Sequence, residues 1–182
     1  MKTQPAVAIF GSSRTESGSP AWHEAEAAGA RCARAGLTVV TGGYGGTMAA
    51  ASKGAAEADG RVVGVTAAGL FRGRSGANPH VTHEIAANSI TERIGILTDL
   101  ASGALVLPGS IGTAAELVVA WNINHVARSH VGTRFPTVAI GEEWRLFHDL
   151  LTGRLSADGD DVHIADTTDG ALDWLLDQPE MR

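Results

Sequence analysis

Residues 105–116 combine residue types that suit the binding of an anion by the protein backbone. An apolar run ends in a short loop and continues into a helical pattern, in the order Leu105, Val106, Leu107, Pro108, Gly109, Ser110, Ile111, Gly112, Thr113, Ala114, Ala115 and Glu116. The glycines let a ligand approach the backbone, and the unpaired N–H groups of a first helical turn attract negative charge. The stretch therefore predicts a strand, a phosphate-binding loop and a helix.

Thr113 and Glu116 also fit a purely structural role. A threonine followed three residues later by a glutamate forms a capping box, in which both side chains accept hydrogen bonds from the backbone at a helix start. If a phosphate binds instead, it repels the carboxylate, so Glu116 would face another part of the ligand, such as sugar hydroxyls. The sequence leaves both interpretations open.

Two other loops are rich in small residues and follow predicted strands. They contain Gly11, Ser12 and Ser13, and then Gly42, Gly43, Gly45, Gly46 and Met48. So many glycines predict that something approaches the backbone closely. The second loop has neither the Gly-Lys-Ser/Thr ending of a P-loop nor the G-x-G-x-x-G spacing of a dinucleotide site, which disfavours an NTPase and an NAD-dependent dehydrogenase.

Arg93 is the cation whose position on a predicted helix is most informative. Helical periodicity covers residues 89–101, and at about 100° per residue Arg93 borders the apolar stripe of this helix. That position favours a guanidinium next to the core. The alternative is an arginine that extends to the surface and pairs with Glu92 or Asp99.

Short β-rich runs alternate with helical patterns along the whole chain. This alternation predicts an α/β fold, a Rossmann-like open parallel sheet of about six strands with helices on both faces. The predicted strands are residues 6–10, 37–40, 61–66, 104–107, 135–140 and 162–165. Ligands of such sheets bind where the strand order reverses, here between the first and fourth strands, so the three small-residue loops should converge there.

Residues 67–84 lose this periodicity, and long irregular loops are often functional. One interpretation is a lid that brings Arg72 and Arg74 toward an anion, and the other is a solvated surface loop. His80 and His83 are spaced closely enough for a metal, but no helix or supporting cluster accompanies them, so no metal site is predicted.

The composition indicates one domain over residues 1–182, with a net charge of -6. An acidic chain without a long apolar segment disfavours nucleic-acid and membrane binding. The single cysteine, Cys32, is expected to be a small buried residue, and the lack of a signal-type segment predicts a cytoplasmic protein. Because the helix from Ala114 is apolar nearly all round, we expect a second packing partner and hence a homodimer.

The loop from Pro108 to Glu116 resembles the motif Pro-Gly-Gly-x-Gly-Thr-x-x-Glu of the LOG proteins, long misnamed lysine decarboxylases. The resemblance extends to Phe10 and the Gly11–Ser13 loop, to residues 42–48, and to Arg93, which stands where the family has Arg-Lys. It covers about residues 6–140. A lysine decarboxylase itself is disfavoured, since the only lysines, Lys2 and Lys53, offer no convincing site for pyridoxal phosphate.

The resemblance implies a Rossmann-like dimer that binds a nucleoside 5′-monophosphate and needs no cofactor. Active LOG proteins hydrolyse the N-glycosidic bond and release a free base and ribose 5-phosphate. By resemblance, the loop from Gly109 to Thr113 holds the phosphate, and Arg93 and Glu116 are the catalytic pair. A carboxylate near the ribose suits the oxocarbenium-like transition state of glycosidic cleavage.

The chain departs from the LOG pattern at two positions. Ser110 replaces the second glycine of the motif, and Ile94 replaces the lysine beside Arg93. The alternative function is therefore a noncatalytic nucleotide-binding or carrier protein, similar to molybdenum-cofactor carriers, which bind a phosphorylated pterin without turning it over. The missing lysine and the arginines at 72 and 74 suit that alternative.

Overall fold

The computed structural model describes residues 4–67, 69–70, 76–129 and 134–182. Strands and helices alternate along most of the chain, as the sequence predicted, but the third and fourth strands follow each other without a helix between them. In chain order they are β1 (Ala6–Phe10), α1 (Pro20–Arg34), β2 (Thr38–Thr41), α2 (Thr47–Glu57), β3 (Val62–Thr66), β4 (His83–Ala86), α3 (Ile90–Leu100), β5 (Gly103–Val106), α4 (Ile111–Ser129), β6 (Thr137–Ile140), α5 (Glu142–Leu155), β7 (His163–Ala165) and α6 (Thr168–Leu176).

The strands form one parallel sheet in the order β4-β3-β2-β1-β5-β6-β7. The Rossmann-like architecture is confirmed, with seven strands instead of about six. The strand missed by the sequence analysis is β4, at the edge of the sheet, where three of its four residues are exposed. No apolar run marks it in the sequence, and its first two residues lie in the stretch 67–84, which was expected to be irregular.

Side-chain alternation along the central strand divides the core into two layers. Val7 and Ile9 pack on one face with α1, α2 and α6, whereas Ala8 and Phe10 pack on the other with α3, α4 and α5. Cys32 is fully buried in the first layer, as expected. In the part of the chain that the structure describes, no helix has both the length and the hydrophobicity needed to cross a bilayer.

The start of α1 shows how local sequence sets the element boundaries. Ser19 accepts a hydrogen bond from the backbone N–H of Trp22 at 3.2 Å, and Pro20 occupies the first helical turn. Past the helix end, Gly36 adopts a φ of 83°, a conformation that favours glycine. Local residue types therefore account for both ends of α1.

Candidate functional site

The strand order reverses between β1 and β5, which lie side by side at the centre of the sheet. The loops after β1, β2 and β5 meet at this point. The backbone N–H of Ser12 donates to the carbonyl of Pro108 at 3.1 Å, and that of Thr47 donates to the carbonyl of Ser12 at 2.9 Å. The structure thus brings together the three loops that the sequence placed at one crevice.

A cavity of about 150 Å³ opens among these loops. Its lining comprises Ile9, Phe10, Gly11, Ser13, Gly42, Met48, Arg93, Ser110, Gly112, Thr113 and Glu116. Ile9 and Phe10, at the end of β1, were not predicted as site residues, because their apolar run does not distinguish them from core residues. The remaining candidates lie in the same loops without lining the cavity, namely Ser12, Gly43, Gly45, Gly46, Pro108, Gly109 and Ile111.

Arg93 lines the cavity, and its guanidinium is held by backbone carbonyls. Its Nε donates to the carbonyl of Val65 at 2.7 Å, and its Nη2 donates to the carbonyl of Gly42 at 2.9 Å. The residue is only 8% exposed. The surface pairing with Glu92 or Asp99 is therefore wrong: Glu92 instead accepts a hydrogen bond from the backbone N–H of Asn88 at 2.7 Å.

Glu116 faces Arg93 across the same cavity. Its Oε1 lies 3.6 Å from Nη1 of Arg93, and the residue is 9% exposed. Burial raises the pKa of Glu116 to about 7 by penalising the charged carboxylate, although the positive charge of Arg93 opposes this effect. Near neutral pH the group can therefore hold or release a proton.

The capping-box interpretation of Thr113 and Glu116 is wrong. Helix α4 begins at Ile111, two residues before Thr113. Thr113 therefore lies within the first turn and Glu116 within the second, where they cannot occupy the two positions of a capping box. Ser110, Gly112 and Thr113, at and just before the start of α4, line the cavity.

The surroundings of the glycines in these loops differ from one position to the next. A Cβ on Gly42 would overlap Nη2 of Arg93 and lie 2.6 Å from Sδ of Met48, so the close approach predicted for this loop is made by the protein's own arginine. A Cβ on Gly109 would lie 2.5 Å from Cβ of Thr113. Gly112, by contrast, lines the cavity and has open space around it, which leaves its backbone accessible to a ligand.

Tyr44 contributes to the site, although neither its residue type nor its position in the sequence predicted it as a site residue. Its ring centroid lies 5.7 Å from Cζ of Arg93, within cation–π range, and its hydroxyl accepts a hydrogen bond from the backbone N–H of Ala67 at 2.8 Å. In the sequence it was an unremarkable member of the glycine-rich loop. Only the folded chain shows the contact.

Two other expectations concern charged residues after β3. Arg72 and Arg74, the proposed arginines of a lid, lie outside the described residues. Among the residues that are described, including His80 and His83, no group of three or more potential metal ligands comes together.

The sequence model of the SLOG cluster4 family matches residues 4–129. The chain belongs to the SLOG cluster4 family. The matched region runs from before β1 into α4 and so includes the loops, Arg93 and Glu116. This membership supports the resemblance to LOG proteins at the level of the SLOG family, and it does not extend to the LOG proteins specifically. No curated protein sequence gives a significant match.

Solved structures resemble this SLOG protein over nearly its whole length. The molybdenum cofactor binding protein of Rippkaea orientalis is 21% identical, with a TM-score of 0.75 over 96% of this chain and 97% of that one. The molybdenum cofactor carrier protein of Chlamydomonas reinhardtii is 25% identical, with a TM-score of 0.72 over 95% and 96% of the two chains. DNA processing protein A of Streptococcus pneumoniae is 16% identical, with a TM-score of 0.60 over 93% of this chain and 61% of that one.

Proposed function

We propose that this SLOG protein hydrolyses the N-glycosidic bond of a nucleoside 5′-monophosphate and releases a free base and ribose 5-phosphate. The observation that carries the proposal is the buried pair of Arg93 and Glu116 in a cavity at the switch point of the sheet. Parallel sheets bind ligands at this place, and a buried carboxyl with a shifted pKa is characteristic of catalytic sites.

The size of the cavity suits the sugar end of such a ligand. Its volume of about 150 Å³ is below the roughly 300–1,000 Å³ typical of pockets that enclose whole ligands. The ribose would enter beside Glu116, and the base would extend toward solvent. The phosphate would meet the backbone N–H groups at the start of α4, next to Ser110 and Gly112.

Arg93 is better placed to orient the carboxylate than to bind the phosphate. Its Nε and Nη2 donate to Val65 and Gly42, and its Nη1 faces Glu116. This leaves phosphate binding chiefly to the loop amides. The positive charge of Arg93 next to the proposed catalytic acid also keeps part of the Glu116 population ionised near neutral pH.

The reaction consumes one water molecule. The C1′–N bond breaks and its electron pair leaves with the base, which takes up a proton, while the water adds its hydroxyl to C1′ and loses the other proton. The ionised Glu116 would stabilise the developing positive charge on the ribose and accept the proton of the water. Binding of the distant phosphate would fix the position of the reacting bond. Hydrolysis of this kind requires neither a metal nor a cofactor.

Base release from a panel of nucleoside 5′-monophosphates tests the proposal. The wild type should release a base, and Glu116→Gln and Arg93→Ala should each reduce the rate about 100-fold or more, as expected for loss of an acid–base group or its partner. Glu57→Gln, on the exposed surface of α2, is the matched control and should retain activity. Absence of release from every nucleotide, with all variants folded, would contradict the proposal.

The second candidate function is a noncatalytic carrier of a phosphorylated ligand. It is favoured by the structural match to molybdenum cofactor binding and carrier proteins along nearly the whole chain. The same panel, extended to a phosphorylated pterin, separates the two functions. Tight binding without release of any base would support the carrier.

The proposal also includes a cytoplasmic homodimer. Two exposed apolar side chains on α4 support this part of the proposal: Ile111 is 86% exposed and Val118 is 41% exposed. Burial of such side chains against a second copy would stabilise a dimer. Light scattering coupled to gel filtration should give twice the mass of 18.7 kDa.

A further inference from the structure

We propose that Tyr44 is a positioning residue, which holds the Arg93 guanidinium next to Glu116. Hydrogen bonds from Ala67 and Asn78 in turn hold Tyr44 in place. The proposal rests on the site described above, and it goes beyond the hydrolysis by naming a residue that acts on the site through another. Tyr44 does not line the cavity.

Backbone carbonyls and an aromatic ring both restrain Arg93. The carbonyls of Gly42 and Val65 accept from Nη2 and Nε at the ends of β2 and β3. The ring of Tyr44 lies 5.7 Å from Cζ, where a guanidinium is attracted by the π-electrons. The carbonyls fix one side of the guanidinium, and the ring limits its displacement on another.

Tyr44 has its own restraints, which make it a rigid support. The backbone N–H of Ala67 donates to its hydroxyl at 2.8 Å, and Nδ2 of Asn78 donates to its carbonyl at 3.1 Å. The backbone N–H of Asn78 also donates to the carbonyl of Gly43 at 2.7 Å. With 4% of its surface exposed, Tyr44 has little room to adopt another rotamer.

Displacement of the Arg93 guanidinium would change the pKa of Glu116. Among the described residues, Arg93 and Glu116 are the two ionisable ones that line the cavity, and the positive charge of Arg93 keeps the pKa of Glu116 lower than burial alone would. A guanidinium that drifts away loses part of this effect, because the Coulomb interaction falls with distance. Loosening Tyr44 should therefore raise the pKa of Glu116 further.

The test is an NMR titration of Glu116 in the ligand-free full chain, with Glu116→Gln used to assign the signal. Tyr44→Leu removes the ring and should raise the titration midpoint by about one pH unit. Tyr44→Phe keeps the ring and the volume but removes the acceptor of the Ala67 N–H. It should raise the midpoint by a smaller amount and speed amide exchange at Ala67. Phe135→Leu, a buried aromatic residue outside the cavity lining, is the matched control and should leave the midpoint unchanged.

An unchanged Glu116 midpoint in a folded Tyr44→Leu or Tyr44→Phe variant would overturn the proposal, whatever happens at Ala67. A shift of equal size in Phe135→Leu would also overturn it, because the effect would then follow from general loosening of the core. If Tyr44→Leu does not fold, Tyr44→Phe decides alone. Because the titration needs no substrate, its outcome is independent of whether the protein hydrolyses a nucleotide.

Discussion

The carboxyl group of Glu116 lies 3.6 Å from a guanidinium nitrogen of Arg93, and both side chains are almost entirely removed from solvent. Despite this pairing, the pKa of Glu116 is raised to about 7, because burial outweighs the attraction of the arginine. The pair is therefore poised to exchange a proton near neutral pH.

The first prediction concerns stability and pH. The pKa of Glu116 rises from 4.5 to about 7 on folding, so the unfolded chain loses this proton at lower pH than the native protein does. The contribution of the group to stability is thus fully present below pH 4.5 and is lost as the pH rises through about 7. A difference of about 2.5 pH units corresponds to roughly 3 kcal/mol.

Glu116→Gln cannot ionise and isolates this effect. Relative to that of the wild type, its free energy of unfolding should increase by up to about 3 kcal/mol between pH 4.5 and 7.5, because only the wild type loses stability as the carboxyl ionises. Urea unfolding at a series of pH values measures the difference. A difference that stays constant over this range would show that Glu116 titrates normally.

The second prediction concerns activity and pH. If the ionised form of Glu116 accepts the proton of water, kcat/KM for base release should rise about tenfold per pH unit below pH 7 and level off above it. The measurement is the initial rate of base release between pH 5.5 and 8.5. A rate that instead falls across this range would exclude the carboxylate role.

The third prediction concerns Gly42. In Gly42→Ala the new methyl group overlaps the guanidinium of Arg93 and must displace it. We expect a loss of about 1–3 kcal/mol in the free energy of unfolding, together with reduced base release. Gly45→Ala is the matched control in the same loop: nothing surrounds the added Cβ, and its stability should stay within about 0.5 kcal/mol of the wild type.

The fourth prediction concerns the phosphate loop. A Cβ added at Gly112 meets open space at the cavity wall, so Gly112→Ala should leave stability nearly unchanged. If the loop amides bind the phosphate, the methyl group should weaken ribose 5-phosphate binding about tenfold, equivalent to one lost charged hydrogen bond. Isothermal titration calorimetry measures the affinity. Unaltered binding by this variant would place the phosphate elsewhere.

Gly109→Ala provides the contrast for this loop. Its added Cβ would lie 2.5 Å from Cβ of Thr113, so we expect a loss of stability whether or not a ligand binds. The two variants together separate ligand contact from internal packing. Equal stability losses at positions 109 and 112 would contradict this distinction.

The sequence by itself determined the Rossmann-like fold, the switch point and the three loops that meet there. These features follow from local patterns: apolar runs such as residues 6–10 form buried strands, and parallel strands deliver their following loops to one edge of the sheet. The same reasoning placed Arg93 beside the core. It missed β4, because a short exposed edge strand needs no apolar pattern.

Only the tertiary structure decided how the site works. Whether Glu116 caps its helix or faces a cavity depends on where α4 begins and on what lies opposite, and both are set by packing of the whole chain. Position 42 requires a glycine because the guanidinium of Arg93, 51 residues away in the sequence, occupies the space of a Cβ. The raised pKa of Glu116 likewise has no local signal, because desolvation is a property of the assembled core.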